Sequence, residues 1–163
     1  MVLPDQSYGP LEPTIEANCT ANKLQAKEEF ISTVVQLYET VVVRHGLMVV
    51  GQTLSGKTKI IESLAAAMSM NKDHEEANAL QFANVKMRWI NPKSVTQGQL
   101  YGDFDEMTHE WTDGILPIVY RDCAKDPTPD RNWIVFDGTV RGRGRRLHCV
   151  AGSARSDSWR DRA

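Results

Sequence analysis

Residues 49–61 read VVGQTLSGKTKII. Within them Gly51, Gly56, Lys57 and Thr58 keep the spacing Gly-x-x-x-x-Gly-Lys-Thr, the pattern of a loop that cradles phosphate groups. Eight residues of pattern arise by chance in ordinary loops, so the flanks decide. Leu47–Val50 before the loop are wholly apolar, as in a strand buried on both faces of a parallel sheet. Behind it, residues 58–70 place Ile60, Ile61, Leu64, Ala65 and Met68 at helical spacing. A strand, a glycine loop and an amphipathic helix form the context in which the pattern carries chemistry. Gly51 and Gly56 allow backbone conformations and close approaches that a Cβ would forbid. The amides of Gln52, Thr53, Leu54, Ser55 and their neighbours through Thr58 then face an anion at the positive end of the helix. Lys57 supplies a mobile cation for the β and γ phosphates. The Thr58 hydroxyl suits Mg²⁺, which prefers oxygen ligands and keeps several waters.

The same logic extends outward. Residues 23–43 have one broad apolar face at helical spacing, Leu24 to Val42, and His45-Gly46 is expected to end that helix. Residues 1–22 hold Pro4, Pro10 and Pro13 with little periodicity and read as an irregular lead-in. Residues 71–78 read as a charged surface connection. Residues 84–90 read as a second strand, stopped by Asn91-Pro92. Residues 94–109 read as a loop with one turn, and residues 110–124 as a helix despite Gly114 and Pro117. Residues 133–136 form a third apolar strand that ends at Asp137. Alternating strands and helices predict an α/β fold with a parallel sheet.

Asp137 lies at the C-terminal end of its strand, the edge at which open α/β sheets bind ligands. An acid there can hold Mg²⁺ through a water; the plainer alternative is an Asp that caps a turn. Hydrolysis requires one group more, a residue that positions the attacking water. In the oligomeric ATPases of this class a Glu follows the strand Asp directly. Here the position is Gly138, with no side-chain acceptor, so the expected chemistry is binding with little turnover. Glu62 and Glu110 fall on the wrong sides of their expected helices to substitute.

Composition sets the bounds. The chain has 163 residues, 41% hydrophobic and 25% charged, enough for one domain with a core. Its net charge of −2 is uneven: residues 139–163 carry seven arginines and two aspartates, net +5, against −7 for the rest. Cys19, Cys123 and Cys149 lack metal-ligand spacing and read as reduced thiols of a cytosolic protein. Asn18-Cys19-Thr20 matches a glycosylation acceptor and is taken as chance, no signal peptide being evident. No apolar run approaches the ~20 residues of a membrane span, so no membrane partner is expected.

Three longer strings are more specific than the phosphate loop. VVQLYETVVVRHGLMVVGQTLSGKTKII, then WINPKSVTQGQLYGDFDEMTHEWTDGI, then NWIVFDG together resemble a dynein heavy chain, in the second AAA+ module of the axonemal (ciliary) branch. The resemblance covers roughly residues 3–138. It implies a P-loop NTPase (AAA+) parallel sheet flanked by helices, with ATP or ADP and Mg²⁺ as cofactors, and a regulatory, largely non-hydrolysing site within an ATP-driven microtubule motor. It implies as partners the neighbouring AAA+ modules, the dynein intermediate and light chains and, through regions outside this chain, microtubules; the location implied is the cytoplasm, cytoskeleton and ciliary axoneme. Two other classes stay open: a small-molecule P-loop kinase, which would need an acceptor site and arginines over the phosphates, and an interaction module with a vestigial nucleotide site.

The resemblance stops at Gly138. Residues 139–163, TVRGRGRRLHCVAGSARSDSWRDRA, depart from the family and read as a basic, disordered, aberrant tail, such as an unspliced intron or a frame shift would give; a nucleic-acid-binding arm is not expected. The organisation expected is thus a lead-in (1–22), a partial module truncated after its third strand (23–138) and this tail. The family's sensor residues, helical lid, stalk and microtubule-binding domain are not expected in it. The family sheet also has a strand between the glycine-loop strand and the Asp137 strand. Its loss is expected to leave a gap of roughly 10 Å and two unpaired edges; Leu147–Val150, the one segment of the tail with strand character, is not expected to fill it.

Overall fold

A computed structural model describes residues 8–75, 77, 80–139 and 145–152; for Thr139 and 145–152 it describes the course of the backbone. The chain forms two compact units. One comprises residues 1–44 and 58–85, the other residues 45–57 and 86–163.

The first unit is helical. Helix α1 spans Leu11–Ala21, where the sequence predicted an irregular lead-in. Its prolines do not oppose the helix: Pro10 is the N-cap and Pro13 lies in the first turn, where amides have no intrahelical acceptor. Leu11, Ile15 and Cys19, four residues apart, make one fully buried stripe. Pro4 lies outside the described residues. Helix α2 (Glu28–Val43) begins later than its apolar pattern and buries Val34, Val35, Leu37, Tyr38 and Val41. Arg44 is its C-cap, so the expected glycine stop at Gly46 is not used. Helix α3 (Lys57–Met70) buries Ile60, Ile61, Leu64, Ala65 and Met68 as predicted. The Tyr38 ring lies tilted against that of Phe82, centroids 5.7 Å apart, and its hydroxyl donates to the Leu80 carbonyl. The connection after α3 is not all surface, since Asn71 and Ala77 are buried.

The second unit holds the sheet. Strand β1 (Gly46–Gln52) carries the glycine loop, β2 (Val85–Ile90) ends before Asn91-Pro92, and β5 (Arg131–Thr139) carries Asp137. Between β2 and β5 lie helix α4 (Gln97–Tyr101), a hairpin of β3 (Gly102–Phe104) and β4 (Trp111–Asp113), and helix α5 (Ile115–Lys125). The sequence predicted a loop and one helix here. The hairpin replaces the first turn of that helix because Gly102 and Gly114 bring its two ends together. A Cβ on Gly114 would lie 2.5 Å from the Leu100 and Gly102 backbone. Helix α4 starts at a capping box, with Gln99 N–H donating to Thr96 Oγ1 at 3.3 Å and Thr96 N–H donating to the Gln99 side chain at 3.1 Å. Pro117 stands in the first turn of α5 and breaks no hydrogen bond. Leu116, Val119 and Cys123 of α5 pack on Ile90, Ile134 and Leu100.

The four-stranded sheet has the order β1-β6-β5-β2, where β6 is Arg145–Gly152. This corrects two expectations. The place between β1 and β5 is filled, and it is filled by residues of the tail. Strand β6 runs antiparallel to both neighbours, from Gly46↔Ala151 to Gln52↔Arg145 on one side and from Trp133↔Gly152 to Thr139↔Arg146 on the other. The direction fits the sequence separation: Thr139 and Arg145 are too near in the chain for the crossover of about a dozen residues or more that a parallel strand needs. Since β1 and β5 are both antiparallel to β6, they run in the same direction. The expected α/β sheet is therefore present, with one antiparallel strand added. A further correction concerns β1, which alternates instead of being buried on both faces: Met48 is 64% and Val50 54% exposed, while Leu47 and Val49 are half-buried. Residues 140–144 and 153–163 of the expected disordered tail lie outside the described residues.

Candidate nucleotide-binding site

Strand β1 ends at Gln52 and the chain turns through residues 53–56 into α3. The turn needs two left-handed residues. Gly56 is one, at φ +82°, and Leu54, fully exposed, is the other, at φ +68°. Gly56 thus has the role expected of it, and Leu54 shares that role without any sequence signal. Gly51 matters for space. A Cβ there would meet Ser55 Oγ at 2.9 Å and the Lys57 side chain at 3.5 Å, so a side chain at position 51 would crowd the hydroxyl that Lys57 bonds. The Ser55 amide donates to the Gln52 carbonyl at 3.3 Å and closes the turn.

Lys57 is buried, with 6% of its surface exposed. Its ammonium donates to the Gly51 carbonyl at 3.1 Å, to Ser55 Oγ at 3.1 Å and to the Gln52 carbonyl. Three donors thus have three acceptors. A buried charge needs such partners, and a phosphate oxygen, being ionised, would make a stronger bond to it than a carbonyl does. The loop from Gly51 to Lys57 belongs to the sheet unit, and Thr58, half-buried, is the next residue along α3.

Asp137 is half-buried near the end of β5. Register places it opposite His148, which is in turn opposite Val49, so the acid lies two strands from β1, about 10 Å away. The following row joins Val50, Leu147 and Gly138, and the next joins Gly51, Arg146 and Thr139. Among the described residues, a Cβ on Gly138 would meet nothing within 4 Å. Of the two glutamates set aside, Glu62 pairs with Lys59 at 2.7 Å, and Glu110 sits in the hairpin turn. Among the described residues no group of three or more His, Cys, Asp and Glu could hold a metal ion; an ion bound here would rest on one or two protein oxygens and the phosphates, as Mg²⁺ commonly does. No described helix is long and apolar enough to cross a membrane. Cys19 and Cys123 are free thiols, and the Cys149 side chain lies outside the described residues.

Sequence reasoning did not anticipate the position of Arg145 and Arg146 in the sheet. They were assigned to the tail, yet register sets them opposite Gln52 and Gly51, where the glycine loop begins. No spacing pattern could have revealed this, because the position depends on the β5–β6 pairing.

Residues 1–58 match the family described as the hydrolytic ATP-binding site of the dynein motor region. The chain is 44% identical over 140 residues to mouse dynein axonemal heavy chain 3, 46% over 136 residues to rat dynein axonemal heavy chain 1, and 39% over 138 residues to human dynein axonemal heavy chain 12. These alignments take in 83–86% of the chain and 3–4% of each relative. The α/β sheet with its glycine loop agrees with an AAA+ P-loop domain of such a protein. The chain belongs to the axonemal dynein heavy chain family.

Proposed function

We propose that residues 51–58 bind ATP or ADP with Mg²⁺, and that this site holds nucleotide with little hydrolysis. The observation that carries the reading is the buried, triply bonded Lys57 beside Gly51, where a Cβ would crowd Ser55 Oγ. Gly51 to Thr58 would take the phosphates, Lys57 their terminal charge, and Thr58 and Asp137 would face the metal. The bound ion would lend positive charge to the phosphate oxygens. Slow turnover is supported by Gly138, which offers no side chain to orient a water. The match to a hydrolytic site ends at residue 58, well before this position. The site would then be regulatory, as in a second AAA+ module, within a ciliary dynein whose motor activity, neighbouring AAA+ modules, intermediate and light chains and microtubule contacts involve regions outside this chain. The axonemal names of the relatives support that setting.

The direct test is a titration of the chain with a fluorescent ATP analogue, with and without Mg²⁺. Binding should require Lys57 and be strengthened by Mg²⁺. If Lys57→Ala binds as well as the parent, the nucleotide reading is wrong.

A further inference from the structure

We propose that Ser55 is a latch on Lys57: its hydroxyl takes the ammonium hydrogen that a β or γ phosphate would need, so Ser55 sets how tightly the loop holds nucleoside di- and triphosphates. The proposal rests on the nucleotide reading above. It assigns the regulation of that site to a side chain that the phosphate-loop pattern leaves unspecified.

An ammonium group has three hydrogens to donate. Two of those on Lys57 go to backbone carbonyls, Gly51 at 3.1 Å and Gln52. These acceptors are fixed: both residues belong to β1, and the Gln52 carbonyl also accepts the Ser55 amide at 3.3 Å, which closes the turn. The third hydrogen goes to Ser55 Oγ at 3.1 Å. Of the three acceptors this is the one carried on a side chain, and a serine hydroxyl leaves by rotation about a single bond. Ser55 is exposed, so its hydroxyl finds water when released, whereas Lys57 is 6% exposed and depends on what the loop offers. The bond to Ser55 is therefore the one that yields to a phosphate oxygen, which is ionised and makes the stronger partner. Gly51 belongs to the same device. A Cβ there would stand 2.9 Å from Ser55 Oγ and 3.7 Å from Lys57 Nζ, against the latch itself. The sign of the effect follows. Without the hydroxyl, a buried donor lacks a partner until phosphate supplies one, so removing this polar group should strengthen binding. A hydroxyl that instead bonded the phosphate would have the opposite effect when removed.

The test uses the full 163-residue chain and fluorescent ATP and AMP analogues. The variants are Ser55→Ala, Ser55→Thr and Lys57→Ala. Ser55→Ala should bind ATP roughly three- to tenfold more tightly than the parent, the net weight of one hydrogen bond. AMP has no β or γ phosphate to bring to Lys57, so its binding should change little. Ser55→Thr keeps the hydroxyl and should keep parental ATP affinity. The latch can also be read with no nucleotide added. Ser55→Ala should lower the melting midpoint of the parent and leave that of Lys57→Ala unchanged, because the bond it removes is one to Lys57. Should the alanine form fail to fold, Ser55→Cys, whose sulfur is a weak acceptor, replaces it with the same expected direction. Parental or weaker ATP binding without the hydroxyl overturns the proposal. So does an equal gain for AMP, or an equal fall in midpoint with and without Lys57. Loss of ATP binding in Lys57→Ala beside parental binding in Ser55→Ala would refute the latch and leave the nucleotide reading standing. Unchanged ATP binding in Lys57→Ala would refute that reading, and the latch with it.

Discussion

Val49 and Asp137 stand in one row of the sheet, each opposite His148 of the strand between them. The acid proposed for the metal is thus held level with the strand that carries the glycine loop by β6, a strand from the divergent end of the sequence. Removing residues 140–163 would leave the facing edges of β1 and β5 without partners. Each orphaned backbone group costs about 1–3 kcal/mol, against a total domain stability of about 5–15 kcal/mol. In the full chain we expect strong hydrogen-exchange protection at 47–50 and 133–136. In a chain ending at Thr139 that protection should collapse. Equal protection in both would show that β6 contributes nothing to the sheet.

Among the described residues, a Cβ on Gly138 meets no atom within 4 Å. Gly138→Glu should therefore fold as the parent does. Placed in a heavy chain that carries this module, it should raise steady-state turnover at this site, up to the ~10²–10⁴-fold that a positioned base contributes. The measurement is single-site ATP hydrolysis with the other sites disabled. Fast hydrolysis by the Gly138 form would contradict the account of why the site is slow.

The EWTDG string depends on a tight backbone meeting. A Cβ at Gly114 would lie 2.5 Å from main-chain atoms of Leu100 and Gly102, and one at Gly102 would lie 2.4 Å from the Trp111 ring. Gly102 also has φ +122°. Gly114→Ala and Gly102→Ala should each cost about 1–3 kcal/mol, read as a lower urea midpoint. A neutral Gly114→Ala would mean that the hairpin can move away from α4 freely.

Acid should weaken the second unit through Asp126. Its carboxylate accepts hydrogen bonds from the Thr128 hydroxyl at 2.7 Å, Lys86 at 2.9 Å and the Thr128 amide at 3.0 Å, which together hold its pKa well below the usual carboxylate range. A carboxyl depressed on folding adds stability above its unfolded pKa of 3.8 and loses it as the pH falls from there toward the folded value. Asp113, drawn down by Arg121 at 2.6 Å, acts in the same sense. The melting temperature should thus drop below about pH 4, and Asp126→Asn should flatten that part of the profile while lowering stability at neutral pH. An unchanged acid slope in Asp126→Asn would remove Asp126 from the explanation.

What could be read in the sequence was what local chemistry determines. The glycine loop, the inward face of α3, the end of β2 before Pro92 and the Asp137-Gly138 pair all follow from neighbouring residues. Helix α1 was also readable, since Leu11, Ile15 and Cys19 are four apart, but Pro10 and Pro13 were weighed as breakers when they occupy cap and first-turn positions. The hairpin before α5 was not readable, because Glu110 and Trp111 suit a helix and only the Gly102–Gly114 approach excludes one. The place of β6 was missed for a deeper reason: strand pairing across the sheet is non-local, and periodicity contains no information about partners.

The direct connection from β5 to β6 also bears on how the chain reaches its fold. Hairpins form in about 1–10 μs, and local pairings precede those that close long loops. The β5–β6 ribbon can therefore assemble first, from the last third of the chain, and present its open edge as a template. Strand β1 must then dock on that edge from a distant part of the sequence, and it brings the glycine loop with it. In this order of events the site is the last part of the sheet to be completed, and its assembly waits on a strand that follows it by about ninety residues in the sequence.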